Sequence, residues 1–426
     1  MLDIKFIREN VDIVKKSLEQ RKDTEKQEWV DDLLRKDEEY RKLLQESQKL
    51  RQKRNEITIQ ISELKKQKKD ASKLLKEAKD IPDKIKQSEE ELKKLKEKID
   101  FYLMRIPNIL HESVPYGKDD TENVEIKKWG KIAKPAFELK PHGELAESLG
   151  VADFKKAAEV SGAGFYYMMG DLAQLNLSLM QFTIDILTRR GYKLFIPPLM
   201  LKRKPYEGVT SLDDFENVMY KIEDDDLYLI ATSEHPIAAF FMNEVIKEED
   251  LPIKAVGMSP CFRREIGSRG VDTKGLFRVH QFWKIEQFIF CKPEDSWKYH
   301  EELQKNSEDL YQALKIPYRV VNICTGDIGI VAAKKYDTEA WFPRQNKYGE
   351  VGSNSNCTAY QAKRLNIRYE NKKGEREYIH TLNNTAIATS RTITAILENF
   401  QNKDGSVTIP AVLQKYMGGK KKIVKL

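Results

Sequence analysis

Between residues 261 and 286 the chain runs Cys261-Phe-Arg-Arg-Glu-Ile-Gly-Ser-Arg-Gly-Val-Asp-Thr-Lys-Gly-Leu-Phe-Arg-Val-His-Gln-Phe-Trp-Lys-Ile-Glu286. It reads as a strand ending in Phe262-Arg263-Arg264-Glu265, a glycine-rich polar loop, and a returning strand over Phe277–Phe290. Antiparallel strands joined by a long loop can fold over a ligand, and Gly267, Gly270 and Gly275 permit close approach of the backbone. Arg263, at the strand end, can clamp a phosphate or carboxylate through two parallel hydrogen bonds. Phe282 can offer a ring face to a base. Arginine and glutamate in a hairpin also form plain surface ion pairs, and the residues alone leave both readings open.

Outward from this hairpin, from about residue 136 to the end, helical segments (Asp171–Arg190, Tyr299–Leu314, Thr389–Phe400) alternate with strand-like runs. The runs are Leu227–Ala231, Phe282–Phe290, Tyr318–Ile323, Tyr336–Phe342 and Ile367–Tyr369. Half-exposed strands among helices predict an α+β body around an antiparallel sheet. The common phosphate loops are missing: there is no GxxxxGK[ST], and the GxGxxG begun by Gly162 and Gly164 has Tyr167 in its last position. No His/Cys cluster has metal-ligand spacing.

The 426 residues carry a net charge of +7. The same excess sits in residues 41–80 alone, with 13 Lys/Arg against 6 Asp/Glu. Such concentration suits a polyanion, although a solvated helix face gives the same count. Within it Leu43, Leu50, Ile57 and Leu64 repeat every seven residues, with Tyr40, Ser47, Arg54 and Ile61 as companion row. After a polar break at Lys65–Asp70, Ala71, Ala78, Ile85, Leu92 and Ile99 begin a second stripe beside Leu74, Ile81, Ser88, Leu95 and Tyr102. The pattern predicts an antiparallel helical coiled-coil arm over about 31–103, kinked at Pro82, within an N-terminal domain 1–106. Residues 107–135, rich in Pro and Gly, read as a linker to a domain spanning 136–426. Cys261, Cys291, Cys324 and Cys357 form no CxxC pair, which fits a reducing cytosol. The longest apolar runs fall far short of the roughly 18 residues a bilayer crossing needs, so a cytoplasmic protein without membrane contact is expected.

The Cys261–Glu286 segment resembles motif 2 of the class II aminoacyl-tRNA synthetases, in the wording of the seryl-tRNA synthetase family. Gly191-Tyr192 through Pro197-Pro198 resembles motif 1, the dimer-interface element. Thr381-Leu-Asn-Asn-Thr-Ala-Ile-Ala-Thr-Ser-Arg391-Thr resembles motif 3, a strand turning into a helix. Thr232-Ser233-Glu234-His235-Pro236 resembles the serine-binding loop, and Glu350-Val-Gly-Ser353-Asn-Ser-Asn-Cys357 the nucleotide and magnesium loop. The opening MLDIKFIREN and the arm match as well, so the resemblance covers essentially the whole chain.

The resemblance implies a serine–tRNA ligase with a class II antiparallel-sheet catalytic domain. Serine and ATP would give seryl-adenylate and pyrophosphate, and the 3′-terminal adenosine of serine tRNA would then take the acyl group. Whether selenocysteine tRNA is also charged stays open. Arg263 and Arg391 would be catalytic, Arg263 bridging the serine carboxylate and the α-phosphate. Glu265 would meet the adenine edge, Phe282 and Arg391 would sandwich the ring, and Arg278 would reach the γ-phosphate. Arg264, Val279, Val351 and Gly352 complete the ATP site, and Glu350 and Ser353 would hold Mg²⁺. Thr232, Ser233, Glu234, Arg263, Glu286, Asn383 and Thr385 would form the serine site. On the arm, Arg51, Lys53, Arg54, Lys65, Lys66, Lys68, Lys69, Lys73, Lys76 and Lys79 would face the long variable arm of the tRNA. A homodimer is implied, one subunit's arm serving the other's active site. Gly352 and Asn354 depart from the family wording, and Lys274 replaces a frequent arginine. Motif wording is closer to archaeal and eukaryotic forms than to bacterial ones, and the cysteine spacing does not suggest the zinc-dependent type.

Overall fold

Leucine and isoleucine recurring every seven residues bury themselves only against a second helix, and the N-terminal unit, Leu2–Ile106, supplies one. The computed structural model describes residues 1–133, 135–211, 218–265 and 275–425. Helix α1 (Thr24–Lys66) has 43 residues, or about 65 Å at 1.5 Å per residue. It starts seven residues before the expected arm, with Asp23 accepting from the Lys26 N–H as its cap. The chain turns through Lys68, which takes a left-handed φ of 54°, and returns as α2 (Ser72–Lys79) and α3 (Ile81–Leu103).

Pro82 does not kink a continuous helix, as the sequence led us to expect; it sits in the first turn of a new one. It has no N–H to offer the Ala78 carbonyl four residues back, and the Asp80 N–H takes that carbonyl instead. The apolar stripe continues across the break, with Ile57, Ile81 and Ile85 buried among Leu50, Ile61, Leu74 and Ala78. Arg54, placed by its spacing on the core row, is exposed: its side chain is long enough to carry the charge out to water.

The other unit comprises Pro107–Leu426 together with Met1. Its main sheet uses β1 (Val124–Trp129), β2 (Lys193–Phe195), β3 (Ile253–Phe262), β4 (Gln281–Cys291), β5 (Tyr318–Asn322), β6 (Lys334–Phe342), β7 (Lys347–Asn356) and β8 (His380–Ala388). The spatial order is β1-β5-β6-β7-β8-β4-β3-β2, antiparallel throughout except for the parallel pair β2–β3. Helices α4 (Gly170–Arg189), α5 (Ser296–Leu314) and α6 (Thr389–Asn399) bury Leu175, Leu310 and Ile393 in the core shared with Ile285, Ile289 and Leu382 of the sheet. The stretch read as a linker contributes β1, the edge strand, and packs Leu110 and Val114 on Val321 and Ile323. The segment read as a loop around Glu350 is strand β7; it lacks the β-branched alternation that marks strands because its buried positions are Val351, Gly352 and the amides Asn354 and Asn356.

Amides of three neighbouring strands bond to α5. Gln287 of β4 accepts from Asn306 Nδ2 at 2.7 Å and donates to the Leu303 carbonyl at 3.3 Å. Asn384 of β8 donates to the same carbonyl at 2.7 Å and to Ser307 Oγ at 3.0 Å. Asn354 of β7 donates to the His300 carbonyl at 2.9 Å. Helix α5 is thus fastened across β7, β8 and β4 by buried hydrogen bonds. Removing one partner leaves others desolvated and unpaired, so Gln287→Leu should lower unfolding stability on the order of 2 kcal/mol. Urea denaturation would measure it, and wild-type stability in the variant would count against the network as a source of cohesion.

Candidate active site

Because side chains alternate along a strand, the three strands that point Gln287, Asn384 and Asn354 at α5 aim Glu286, Asn383 and Thr385, and Ser353 and Ser355, at the other face. There they line one cleft with Thr232, Glu234 and Arg263. A second cleft, with an open volume of about 440 Å³, is lined by Arg263, Glu265, Arg278, Val279, Phe282, Glu350, Val351, Gly352 and Arg391. Arg263, Lys284 and Thr385 line both.

Two β-bulges shape this face. Opposite β6, Gly352 pairs with Thr338 and Glu350 with Glu339, leaving Val351 as the extra residue. In a regular strand Glu350 and Ser353, three apart, would point to opposite faces; the bulge puts them together, Ser353 Oγ lying 3.3 Å from Glu350 Oε1. A second bulge at Ala386 of β8 brings Ala388 onto the second cleft. Gly352, one of the departures, has a steric role: a Cβ there would lie 2.9 Å from the Thr385 carbonyl oxygen.

In the first cleft, two carboxylates face two cations. Lys284 Nζ lies 2.7 Å from Glu286 Oε2, which also accepts from Thr385 Oγ1 at 3.1 Å. Lys284 donates as well to Thr232 Oγ1 at 3.3 Å. Glu234 Oε1 accepts from Asn383 and from Gln361, both at 3.0 Å. Burial, then the neighbouring Glu286 charge, push Glu234 up to about 7, against the pull of Lys284 and the Gln361 hydrogen bond. A ligand bearing an ammonium group would favour the ionised form. Burial, with Arg263 and Lys284 nearby, holds His235 down at about 3, a neutral ring paired with Tyr206 Oη at 3.0 Å.

In the second cleft, the Arg263 guanidinium lies over the Phe282 ring, 5.3 Å from its centroid. Arg391 stacks 5.1 Å from Phe277, donates to the Glu350 carbonyl at 2.8 Å and lies 3.2 Å from its carboxylate. Burial would raise the Glu350 carboxyl, but Arg391, Lys335 and Arg263 outweigh it and keep the group ionised. Arg278 pairs with Glu265 at 3.3 Å.

Three expectations are not met in position. Ser233 lies under the cleft rather than in it, fully buried at the start of the short helix Glu234–Ala239. Arg264 lines neither cleft; its backbone N–H donates to the Val218 carbonyl at 3.0 Å. Ser353 lines the first cleft rather than the second, and its hydroxyl donates to Asp337 Oδ1 at 2.6 Å. Gly267, Gly270 and Lys274 lie outside the described residues. Sequence reasoning missed Lys284, Asp337 and Phe277. Lys284 carried a signal, two positions from Glu286 and so on its face; Asp337 faces Ser353 through a strand pairing that sequence does not reveal.

The donor set at Glu350 and Ser353 fits a hard cation that also keeps waters and phosphate oxygens. The bulge converges one carboxylate and one hydroxyl, and Asp337 takes the hydroxyl proton, leaving Ser353 lone pairs for the cation. On the arm, Lys65, Lys66, Lys68, Lys69, Lys73, Lys76 and Lys79 are exposed together near the turn. Arg51 and Lys53 are exposed too, but pair across the hairpin with Glu89 and Glu77, both at 2.5 Å.

Comparison with known proteins agrees over the whole chain. Residues 219–400 match the tRNA synthetase class II core domain (G, H, P, S and T), and residues 1–110 the seryl-tRNA synthetase N-terminal domain. The chain is 58% identical to the serine–tRNA ligase of Methanospirillum hungatei, over 99% of each. Against that of Methanocella arvoryzae it is 59% identical, over 98% of this chain and 99% of the relative. The crystal structure of seryl-tRNA synthetase from Pyrococcus horikoshii complexed with ATP superimposes with a TM-score of 0.93 at 50% identity, covering all of both chains. The cytoplasmic serine–tRNA ligase of Naegleria fowleri in complex with AMP gives 0.88 at 37% identity, over 100% of this chain and 99% of that one. The chain therefore belongs, from end to end, to the seryl-tRNA synthetases, the serine–tRNA ligases of class II.

Proposed function

We propose that the two joined clefts hold serine and ATP, and that the reaction takes place where Arg263 lines both. The observation that carries this reading is that shared arginine, flanked by a charge-balanced cleft on one side and an aromatic, arginine-lined cleft on the other. Serine is a zwitterion with a hydroxyl. Glu234 and Glu286 suit its ammonium and hydroxyl groups, and Arg263 suits its carboxylate. Alanine, lacking the hydroxyl, would forfeit that hydrogen bond, although Glu286 would keep Lys284 and Thr385 as partners.

In the first step a serine carboxylate oxygen attacks the α-phosphorus of ATP, the bond to the bridging oxygen breaks, and pyrophosphate leaves. Arg263 orients both partners and neutralises charge gathering on the phosphorus oxygens. Phe282 and Arg391 offer faces to the adenine, Glu265 its edge, and Arg278 a charge for the γ-phosphate. Mg²⁺, held by Glu350 and Ser353, would supply further neutralisation of the phosphates. In the second step the 3′-terminal adenosine hydroxyl of serine tRNA attacks the acyl carbon and AMP departs. The exposed lysines near the arm's turn suit the tRNA backbone, which they would read by shape and charge.

A homodimer agrees with the apolar side chains exposed on and around the β2 edge: Leu194, Ile196, Leu199, Met200 and Phe240 are between 38% and 71% exposed. A cytoplasmic setting agrees with the Naegleria fowleri relative and with four buried, unbridged cysteines. No helix among the described residues is long and apolar enough to cross a membrane.

ATP–pyrophosphate exchange, run without tRNA and with each amino acid separately, tests the first step. Serine alone should support exchange, and Arg263→Ala should abolish it while leaving the fold intact; exchange at the wild-type rate in the variant would remove Arg263 from its role. Deleting Tyr40–Tyr102 should preserve exchange but eliminate tRNA charging, so undiminished charging would overturn the role given to the arm. Ile196→Glu should shift the sedimentation profile from dimer to monomer, and an unchanged profile would mean the β2 edge is no interface.

A further inference from the structure

His142 belongs to none of the motifs and lines neither cleft, yet it is almost fully buried, at 6% exposure, beside Glu398 at 1% and Leu276 at 0%. Its two ring nitrogens have separate tasks. Nε2 accepts a hydrogen bond from the Leu276 backbone N–H at 3.0 Å, and Nδ1 lies 3.3 Å from Glu398 Oε1. An acceptor at Nε2 fixes the tautomer: the proton sits on Nδ1 and is donated to Glu398. Glu398 is itself tied down, since its Oε2 accepts from the Arg344 N–H at 3.3 Å. The ring is therefore held by α6 and holds in turn the backbone entering the returning strand.

The fit around that contact is close. Gly275 has φ of +98°, and a Cβ there would stand 2.3 Å from His142 Nε2; a Cβ on Gly143 would lie 3.5 Å from the Gly275 Cα. Leu276, fixed through its backbone N–H, buries its side chain in the main core. The next residues along the chain are Phe277, Arg278 and Val279, which all line the second cleft. Phe277 also stacks on Arg391, the third residue of the helix that supplies Glu398.

We propose that His142 is a positioning residue for the nucleotide: locked by Glu398, it anchors the backbone at Leu276 so that Phe277 and Arg278 meet ATP in register. It touches neither substrate nor reacting atoms. The inference rests on the assignment of the second cleft to ATP, and Arg391→Ala, inside that cleft, separates the two.

The experiment is serine-dependent ATP–pyrophosphate exchange on the full chain, with the KM for ATP and the KM for serine measured independently. His142→Phe keeps a buried ring but removes the acceptor; His142→Gln restores an acceptor near the Nε2 position. We expect His142→Phe to raise the KM for ATP about tenfold while that for serine moves less than about twofold, and His142→Gln to recover most of the loss. A merely structural residue would move both constants together or neither, without rescue by glutamine, and either result overturns the proposal. Should His142→Phe fail to fold, Gly275→Ala forces the same contact apart and is expected to give the same ATP-selective rise; unchanged constants there also overturn it. If Arg391→Ala leaves the KM for ATP untouched, the cleft assignment falls and the inference with it. If Arg391→Ala raises that constant and the His142 variants do not, only the role of His142 is lost.

Discussion

The catalytic unit depends on a sheet that carries, among its buried apolar residues, paired polar side chains on both faces. Hydrophobic burial holds α4 and α6 and the strands together, but it is non-directional and does not by itself place individual polar atoms. The amides of Gln287, Asn384 and Asn354 are directional: each reaches a particular carbonyl or hydroxyl of α5, and a displaced strand would leave desolvated donors without acceptors. Because neighbouring side chains alternate, fixing those three amides also fixes Glu286, Asn383, Thr385 and Ser353 on the opposite face. Positional accuracy in the clefts is thus set by a layer that no substrate reaches.

The bulges at Val351 and Ala386 act where that alternation would be a hindrance. A strand offers a ligand every second residue on one side; bringing Glu350 beside Ser353 requires one parity change, and the extra residue supplies it. The charges around them are arranged in compensating pairs. Glu350 stays ionised among Arg391, Lys335 and Arg263, while burial and the Glu350 charge push the Asp337 carboxyl up, with Lys335 and the Ser353 hydrogen bond opposing. The acidic side of the site is therefore held by cations already in place, and ligands enter a region whose large charges have partners.

How much of this was legible in the sequence differs by element and for identifiable reasons. Helices α4, α5 and α6 and strands β4 and β6 announced themselves through periodic apolar positions. Strand β7 did not, because Ser353, Asn354 and Asn356 are turn-forming residue types used here for hydrogen bonding within the fold. The hairpin stripe was readable from its spacing, but Arg54 shows that spacing assigns a face to the Cα and not to the end of a long side chain. Ser233 was carried along by the wording around it, and the geometry of a helix start turned it inward. Glu286 was visible through its motif; Lys284 beside it, and Asp337 across a strand pair, needed the register to be known.

The ion pairs Arg51–Glu89 and Lys53–Glu77 give the arm a particular relation to salt. A cation already matched by a carboxylate must give up that partner before it can neutralise a phosphate, so these two residues would add little to the counterion release that drives such binding. On the proposed reading the exposed lysines from Lys65 to Lys79 would carry that role instead, all within one short reach of the turn. Ionic strength consequently acts in two places at once: it screens the turn's attraction for a polyanion, and it loosens the cross-helix pairs. Arg51 and Lys53 released in this way become available just as the reward for using them shrinks, so the arm's electrostatic reach is bounded by its own internal wiring.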